Sequence, residues 1–184
     1  MEKYIYEKKN VITKELCVDI IEQFDNDKLI NYNNITNNKI ENYYGIYLKE
    51  NKNDISKLIN TLTSELTTCL SELHKQTTNL NNKYFFTDNY MFIKFIKSQN
   101  YITYSYNFNV INEHYHSVYN FIIFLNDVIE GGEVEILGKY KIKPEIGKIL
   151  LFPSGWCFPH SHKISLFNDK FIITGEIYNE FFKK

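Results

Sequence analysis

An α+β domain, with helices packed on one face of a β core, is what this chain of 184 residues predicts. Three observations carry that reading. Apolar residues recur at helical spacing in the first half, at Leu16, Ile20, Ile21 and Phe24 and again from Ile55 to Leu73. From about residue 84 the pattern changes to short runs rich in Ile, Phe, Tyr and Val, the composition of strands. No proline or glycine cluster and no repeat divides the halves. One domain over 1–184 is therefore expected, with helical support over about 13–82 and a β core over about 84–180.

Taken in order, residues 4–12 read as a short extended segment, and Thr13 is placed to cap the first helix. The Asn- and Asp-rich stretch 25–38 reads as a loop and 43–48 as a strand. Asp54 is expected to cap a longer helix carrying Ile55, Leu58, Ile59, Leu62, Leu66, Leu70 and Leu73. That stripe covers too few heptads for a coiled coil and belongs against a sheet. His74, near the helix end among polar residues, reads as a solvated group favoured by the last-turn dipole. Residues 91–96 and 101–110, joined by a turn at Ser98, Gln99 and Asn100, read as a hairpin leading into the core.

Composition excludes several classes. With 43% hydrophobic and 23% charged residues the chain can bury a proper core, and a net charge of −1 argues against a general polyanion binder. Arginine is absent, so fork-like recognition of carboxylate or phosphate is unavailable and every fixed cation is a lysine. Cys17, Cys69 and Cys157 are odd in number and widely spaced, which argues against a disulfide framework and points to a reducing compartment. The sequence shows no signal peptide and no apolar run of membrane-spanning length, so a cytoplasmic protein is expected.

The chemistry concentrates between residues 114 and 170. Four of the five histidines, His114, His116, His160 and His162, form two pairs at a spacing of two, which places each pair on one face if its strand is regular. Neutral imidazole is the commonest transition-metal ligand. Glu113 should face away from His114, and Asp127 falls in the turn after the next strand, so neither replaces a histidine easily. Lys170 lies on an apolar strand, where burial is costly unless an anion is supplied. A cysteine nucleophile at Cys157 beside His160 is a weaker idea, because strand alternation sets the two on opposite faces.

These residues stand among others in a telling order: His114-Tyr115-His116, Phe124-Leu125-Asn126-Asp127, Glu130-Gly131-Gly132-Glu133, Pro144-Glu145-Ile146-Gly147, Leu150-Leu151-Phe152-Pro153-Ser154, His160 and Lys170. The series resembles the prolyl-4-hydroxylase-like branch of the Fe(II)/2-oxoglutarate dioxygenases, closely in the C-terminal half and loosely elsewhere. The resemblance implies a double-stranded β-helix, or jelly-roll, core. It implies Fe(II) as cofactor and 2-oxoglutarate as cosubstrate, with ascorbate a candidate addition. It further implies hydroxylation of an unactivated C–H bond on a prolyl or other peptide side chain, or on a small molecule.

In the family an H-x-D strand and a distal histidine hold the iron. Here His114, His116 and His160 are the matching metal ligands, His116 standing where the carboxylate is expected and His162 being the alternative to His160. Lys170 matches the residue that holds the distal carboxylate of 2-oxoglutarate. Asn120 and Tyr106 match further cosubstrate contacts. The nucleic-acid branches carry paired arginines that this chain lacks. The missing carboxylate supports an alternative, a non-catalytic jelly-roll metal-binding module that recognises a peptide or sugar. Oligomeric state is left open.

Overall fold

Thr13 caps the first helix as the sequence expects, with extended backbone and a hydroxyl that accepts from the Leu16 amide at 3.3 Å. The helix it caps, α1 (Lys14–Phe24), buries Cys17, Ile20 and Phe24 along one stripe. The second helix, α2 (Asn53–Thr77), starts at Asn53, so Asp54 lies within the first turn, where its charge favours the dipole, instead of capping it. The structure, a computed structural model, describes residues 2–25, 28–36, 39–48, 53–77, 85–87, 89–99, 102–107, 109–112 and 115–180.

Around these helices the described chain is a single sheet of thirteen strands, all of whose pairings are antiparallel. They are β1 (Tyr6–Lys8), β2 (Ile30–Thr36), β3 (Lys39–Tyr47), β4 (Phe85–Phe86), β5 (Met91–Phe95), β6 (Ile102–Ser105) and β7 (Val110–Asn112). The rest are β8 (Tyr115–Phe124), β9 (Val134–Ile136), β10 (Tyr140–Ile142), β11 (Ile149–Pro153), β12 (His160–His162) and β13 (Lys170–Glu180). The order is β1-β11-β8-β13-β5-β3-β6-β12-β9-β10, with β2 on β3, β4 on β13 and β7 on β8.

Three expectations are corrected by this topology. Residues 30–36 form a strand instead of a loop, because seven residues pair in register with β3 and Tyr32 stacks on Tyr43 at 5.1 Å between ring centroids. Cross-strand packing overrides the turn preference of asparagine. The runs expected as a hairpin, β5 and β6, do not pair with each other; β3 lies between them and hydrogen-bonds to both. Asn100, part of the expected turn, lies outside the described residues. Finally, β2 and β3 lie within 13–82, the stretch expected as helical support, where 43–48 alone was expected as a strand.

The sheet has two apolar faces. One packs against the helices, joining Leu62, Leu66, Cys69 and Leu73 of α2 to Phe92, Phe121, Ile123 and Ile173. The other closes on itself: Ile93, Ile122, Phe124, Ile136, Phe152 and Ile172 come from strands far apart in the order yet form one core. This enclosed face carries the site.

His74 belongs to the helix face. It is 1% exposed, 3.0 Å from the Tyr119 hydroxyl through Nε2 and packed on Phe85, so the expectation of a solvated residue is corrected. The ring completes the apolar stripe of α2 and finds its polar partner across the core.

Gly147, last of the Pro144–Gly147 series, joins the N-terminal segment to the sheet. Its carbonyl accepts from the amides of Val11 and Ile12, its φ is +74°, and a Cβ there would meet the Ile12 carbonyl oxygen at 2.1 Å. Gly147→Ala is expected to destabilise by about 3 kcal/mol or more, since the strain of a positive φ adds to a clash with backbone. Thermal unfolding should show it as a fall in Tm of roughly 6 °C or more.

Candidate functional site

The strand β12 is three residues long and holds the distal histidine pair. It runs between β6 and β9, with His160 opposite Ser105 and Ile136, and His162 opposite Ile102 and Val134. Alternation sets both imidazoles on the enclosed face, where each is 6% exposed. His160 packs edge-on to Phe152 and His162 lies flat on Phe95, both at 4.9 Å between centroids. The two rings are 6.1 Å apart.

Lys170 opens β13 and is fully buried. Its ammonium donates to the Gly132 carbonyl at 2.9 Å, lies 3.3 Å from His162 Nδ1 and sits 4.4 Å from the centre of the Phe95 ring. The Gly131-Gly132 pair makes this contact, since positive φ at both residues turns the carbonyl inward. Burial pushes the Lys170 pKa down to about 7, against the raising effect of Glu133. Burial also holds His162 well below its usual value, with the charges of Lys170 and His160 adding to it. A neutral His162 can then accept from the ammonium through Nδ1, which leaves its proton on Nε2.

A second buried lysine gives the contrast. Lys148, 3% exposed, pairs with Glu145 and, at 3.3 Å, with Glu7. Lys170 has no ion pair with a carboxylate among the described residues.

Beside the histidines lies a cavity of about 270 Å³, walled by Ser105, Asn107, Asn109, His160, His162 and Glu176, with Tyr43, Tyr47 and Thr174 completing it. Asn120, expected as a cosubstrate contact, is 2% exposed and directly opposite Glu176 across β8 and β13. Tyr106 is 55% exposed beyond the end of β6, while its neighbours Ser105 and Asn107 take the inward positions. Trp156 is 77% exposed, and Cys157 is exposed as well.

The proximal histidine pair differs from expectation. His114 lies outside the described residues. His116 is turned away by a bulge: Ile177 pairs with Tyr119 but Tyr178 pairs with Ser117, so Val118 is an extra residue and the alternation of β8 reverses there. Residues directly opposite share a face. Ser117 thus joins Tyr178, whose hydroxyl reaches Glu176 in the cavity, and His116 joins Asn179 on the other face. The expectation that His116 faces inward assumed a regular strand, and the register of β8 on β13 has this bulge in it.

These residues can be tested against iron. A facial Fe(II) site takes imidazole and carboxylate. Among the described residues no three His, Cys, Asp or Glu side chains converge on one point. The residue facing His160 from β6 is a serine, and Asn107 and Asn109 follow it along the cavity wall. The described residues alone do not complete the iron site that the resemblance implies, and His114 lies outside them.

Sequence reasoning missed Ser105, Asn107, Asn109 and Glu176. For Glu176 the signal was present, since Lys170, Ile172, Thr174 and Glu176 alternate on one face of an apolar strand. For the other three none was, because a serine and two asparagines in an asparagine-rich chain carry no weight.

No family model and no curated protein matches the chain. Solved structures do. The chain matches the 2-oxoglutarate complex of a viral collagen prolyl hydroxylase from Paramecium bursaria Chlorella virus-1 at a TM-score of 0.71 and 14% identity, over 96% of both chains. It matches a 2OG-Fe(II) oxygenase family oxidoreductase from Burkholderia pseudomallei at 0.71 and 12%, over 97% of this chain and 86% of that one. A Trichoplax adhaerens prolyl hydroxylase in complex with a hypoxia inducible factor peptide matches at 0.69 and 15%, over 97% and 84%. The chain has the fold of these prolyl hydroxylases and 2OG-Fe(II) oxygenases. Among the described residues no helix is long and apolar enough to cross a membrane.

Proposed function

We propose that this chain is a double-stranded β-helix domain that binds 2-oxoglutarate or a similar 2-oxo dicarboxylate, with Lys170 gripping the distal carboxylate. One observation carries the reading: a fully buried ammonium with no carboxylate partner among the described residues, in a fold whose viral neighbour was solved with 2-oxoglutarate. A bare charge is expensive to bury, and a carboxylate that pairs with it both neutralises it and supplies a charge-assisted hydrogen bond worth about 1.5–3 kcal/mol.

Within that reading the domain acts as a recognition module. The described residues nearest to His160 across the sheet are a serine and two asparagines, groups that suit hydrogen bonding to a ligand, while His162 and Glu176 also line the cavity. The second reading is an Fe(II)-dependent hydroxylase of a prolyl or other peptide side chain. It draws support from the fold shared with prolyl hydroxylases, one of them solved with a peptide, and from the order of His160 and Lys170. It requires His114 and a third ligand to join His160.

Calorimetric titration with 2-oxoglutarate and with 2-oxobutyrate, which lacks the distal carboxylate, tests the anchor in the presence of a chelator. Saturable binding of the first and at least tenfold weaker binding of the second is the expected result; equal affinities would remove Lys170 from the role. A parallel incubation with Fe(II), 2-oxoglutarate and oxygen is expected to form no succinate above the protein-free rate, and stoichiometric iron with succinate formation would favour the hydroxylase.

A further inference from the structure

Away from Lys170, at the opposite end of the same inward row of β13, Glu176 is 7% exposed and lines the cavity. Its Oε2 is occupied: Asn109 donates through Nδ2, and the Tyr178 hydroxyl donates at 2.8 Å. Its Oε1 is buried and receives no hydrogen bond. The residue directly across the sheet, Asn120, spends its amide Nδ2 on the Pro153 carbonyl at 3.5 Å and leaves Oδ1 buried and likewise unmatched. The two open acceptors thus belong to directly opposed residues, whose Cβ atoms in an antiparallel pair stand about 5 Å apart.

A buried carboxylate oxygen without a donor is costly, and the cost is relieved only by a group that brings hydrogens. Among the described residues no lysine or histidine pairs with Glu176. The missing partner is therefore a donor and, by charge, a cation. The walls agree with this, because Tyr43 and Tyr47 line the same cavity and the faces of tyrosine rings attract ammonium groups.

From this geometry we infer that the cavity is a binding site for a protonated primary amine, whose ammonium is held by Glu176 Oε1 with Asn120 Oδ1 as second acceptor. The amine comes either as a free alkylamine or as the lysine side chain of a peptide. Six residues of extended strand separate Lys170 from Glu176, about 20 Å at 3.3 Å per residue, so the amine site and the carboxylate site take different groups.

NMR titration of the full chain, with chelator and without 2-oxoglutarate, decides it. The probes are n-butylammonium against 1-butanol, and acetyl-Gly-Lys-Gly-amide against the same peptide with norleucine in place of lysine. At least one ammonium probe should bind ten or more times more tightly than its neutral isostere, and Glu176→Gln should erase that preference. Binding of both amines points to a small-molecule ligand, and binding of the peptide alone to a lysine-bearing chain; either supports the site. Should Glu176→Gln fail to fold, the wild-type comparison stands by itself. Equal binding of ammonium and neutral probes, or a preference that survives Glu176→Gln in folded protein, overturns the inference.

Discussion

Replacing Lys170 with methionine is expected to abolish binding of 2-oxoglutarate at pH 7 and, in the same protein, to raise thermal stability. The two effects share a cause. A lysine pushed from its ordinary 10.5 to about 7 by burial is a charge the fold holds at a cost of the order of 4 kcal/mol when protonated. Methionine fills a similar volume and leaves the Gly132 carbonyl without its donor, a loss of about 1 kcal/mol. The charge term is the larger, so the variant gains. The folded-state pKa lies below the unfolded one, so between pH 7 and 10.5 the unfolded chain binds the extra proton and wild-type stability rises with pH. The advantage of Lys170→Met should be complete below pH 7, shrink through that window and vanish above it. Affinity runs the other way: the ligand needs the ammonium, so wild-type binding should weaken by up to tenfold per unit as pH climbs past 7. Thermal melts of both proteins at pH 6, 8 and 10, with titrations at the same values, read all of this. A variant that melts lower than wild type at pH 6 contradicts it.

How much of this could be read from the amino acids alone varies with the physics of each element. The first helix was legible to its cap, because Thr13 and the Leu16–Phe24 stripe are local signals with one solution. The series from Phe124 to Lys170 was legible as a fold because strand, turn and strand recur in a fixed order, and Gly131, Gly132 and Gly147 each occupy a positive φ that other residues resist. Pairing partners were not legible. Nothing near residues 91–105 says that β3, half a chain earlier, separates β5 from β6. The bulge at Val118 was equally hidden, since one extra residue in β8 is defined only against β13, and that single residue decides which way His116 faces. The candidate site therefore divides. His160 and Lys170 could be named as candidates in advance from motif spacing, whereas the neighbour of His160 across the sheet was set by register and proved to be Ser105.

That register supports the last prediction, a gain of metal affinity in Ser105→His combined with Asn107→Asp. Ser105 faces His160 directly, and Ser105 and Asn107, two residues apart, both reach the cavity. The double substitution would put an imidazole beside the one already there and a carboxylate one step along the same face, the ligand types of a facial Fe(II) site. The His162 Nδ1 is engaged by the Lys170 ammonium, so among the described residues His160 stands as the ligand within reach. From the described residues alone, with one imidazole, weak binding follows. The double variant should bind Co(II) at least about a hundredfold more tightly than wild type, equivalent to about 2.8 kcal/mol. Competition against a chromophoric chelator measures the ratio, and the d–d absorption of Co(II) reports the coordination gained. The single variant Ser105→His serves as control and should show a smaller gain. Wild-type protein that already binds Co(II) as tightly as the double variant would mean that ligands beyond the described residues complete the site. The recognition-module reading would then yield to the hydroxylase.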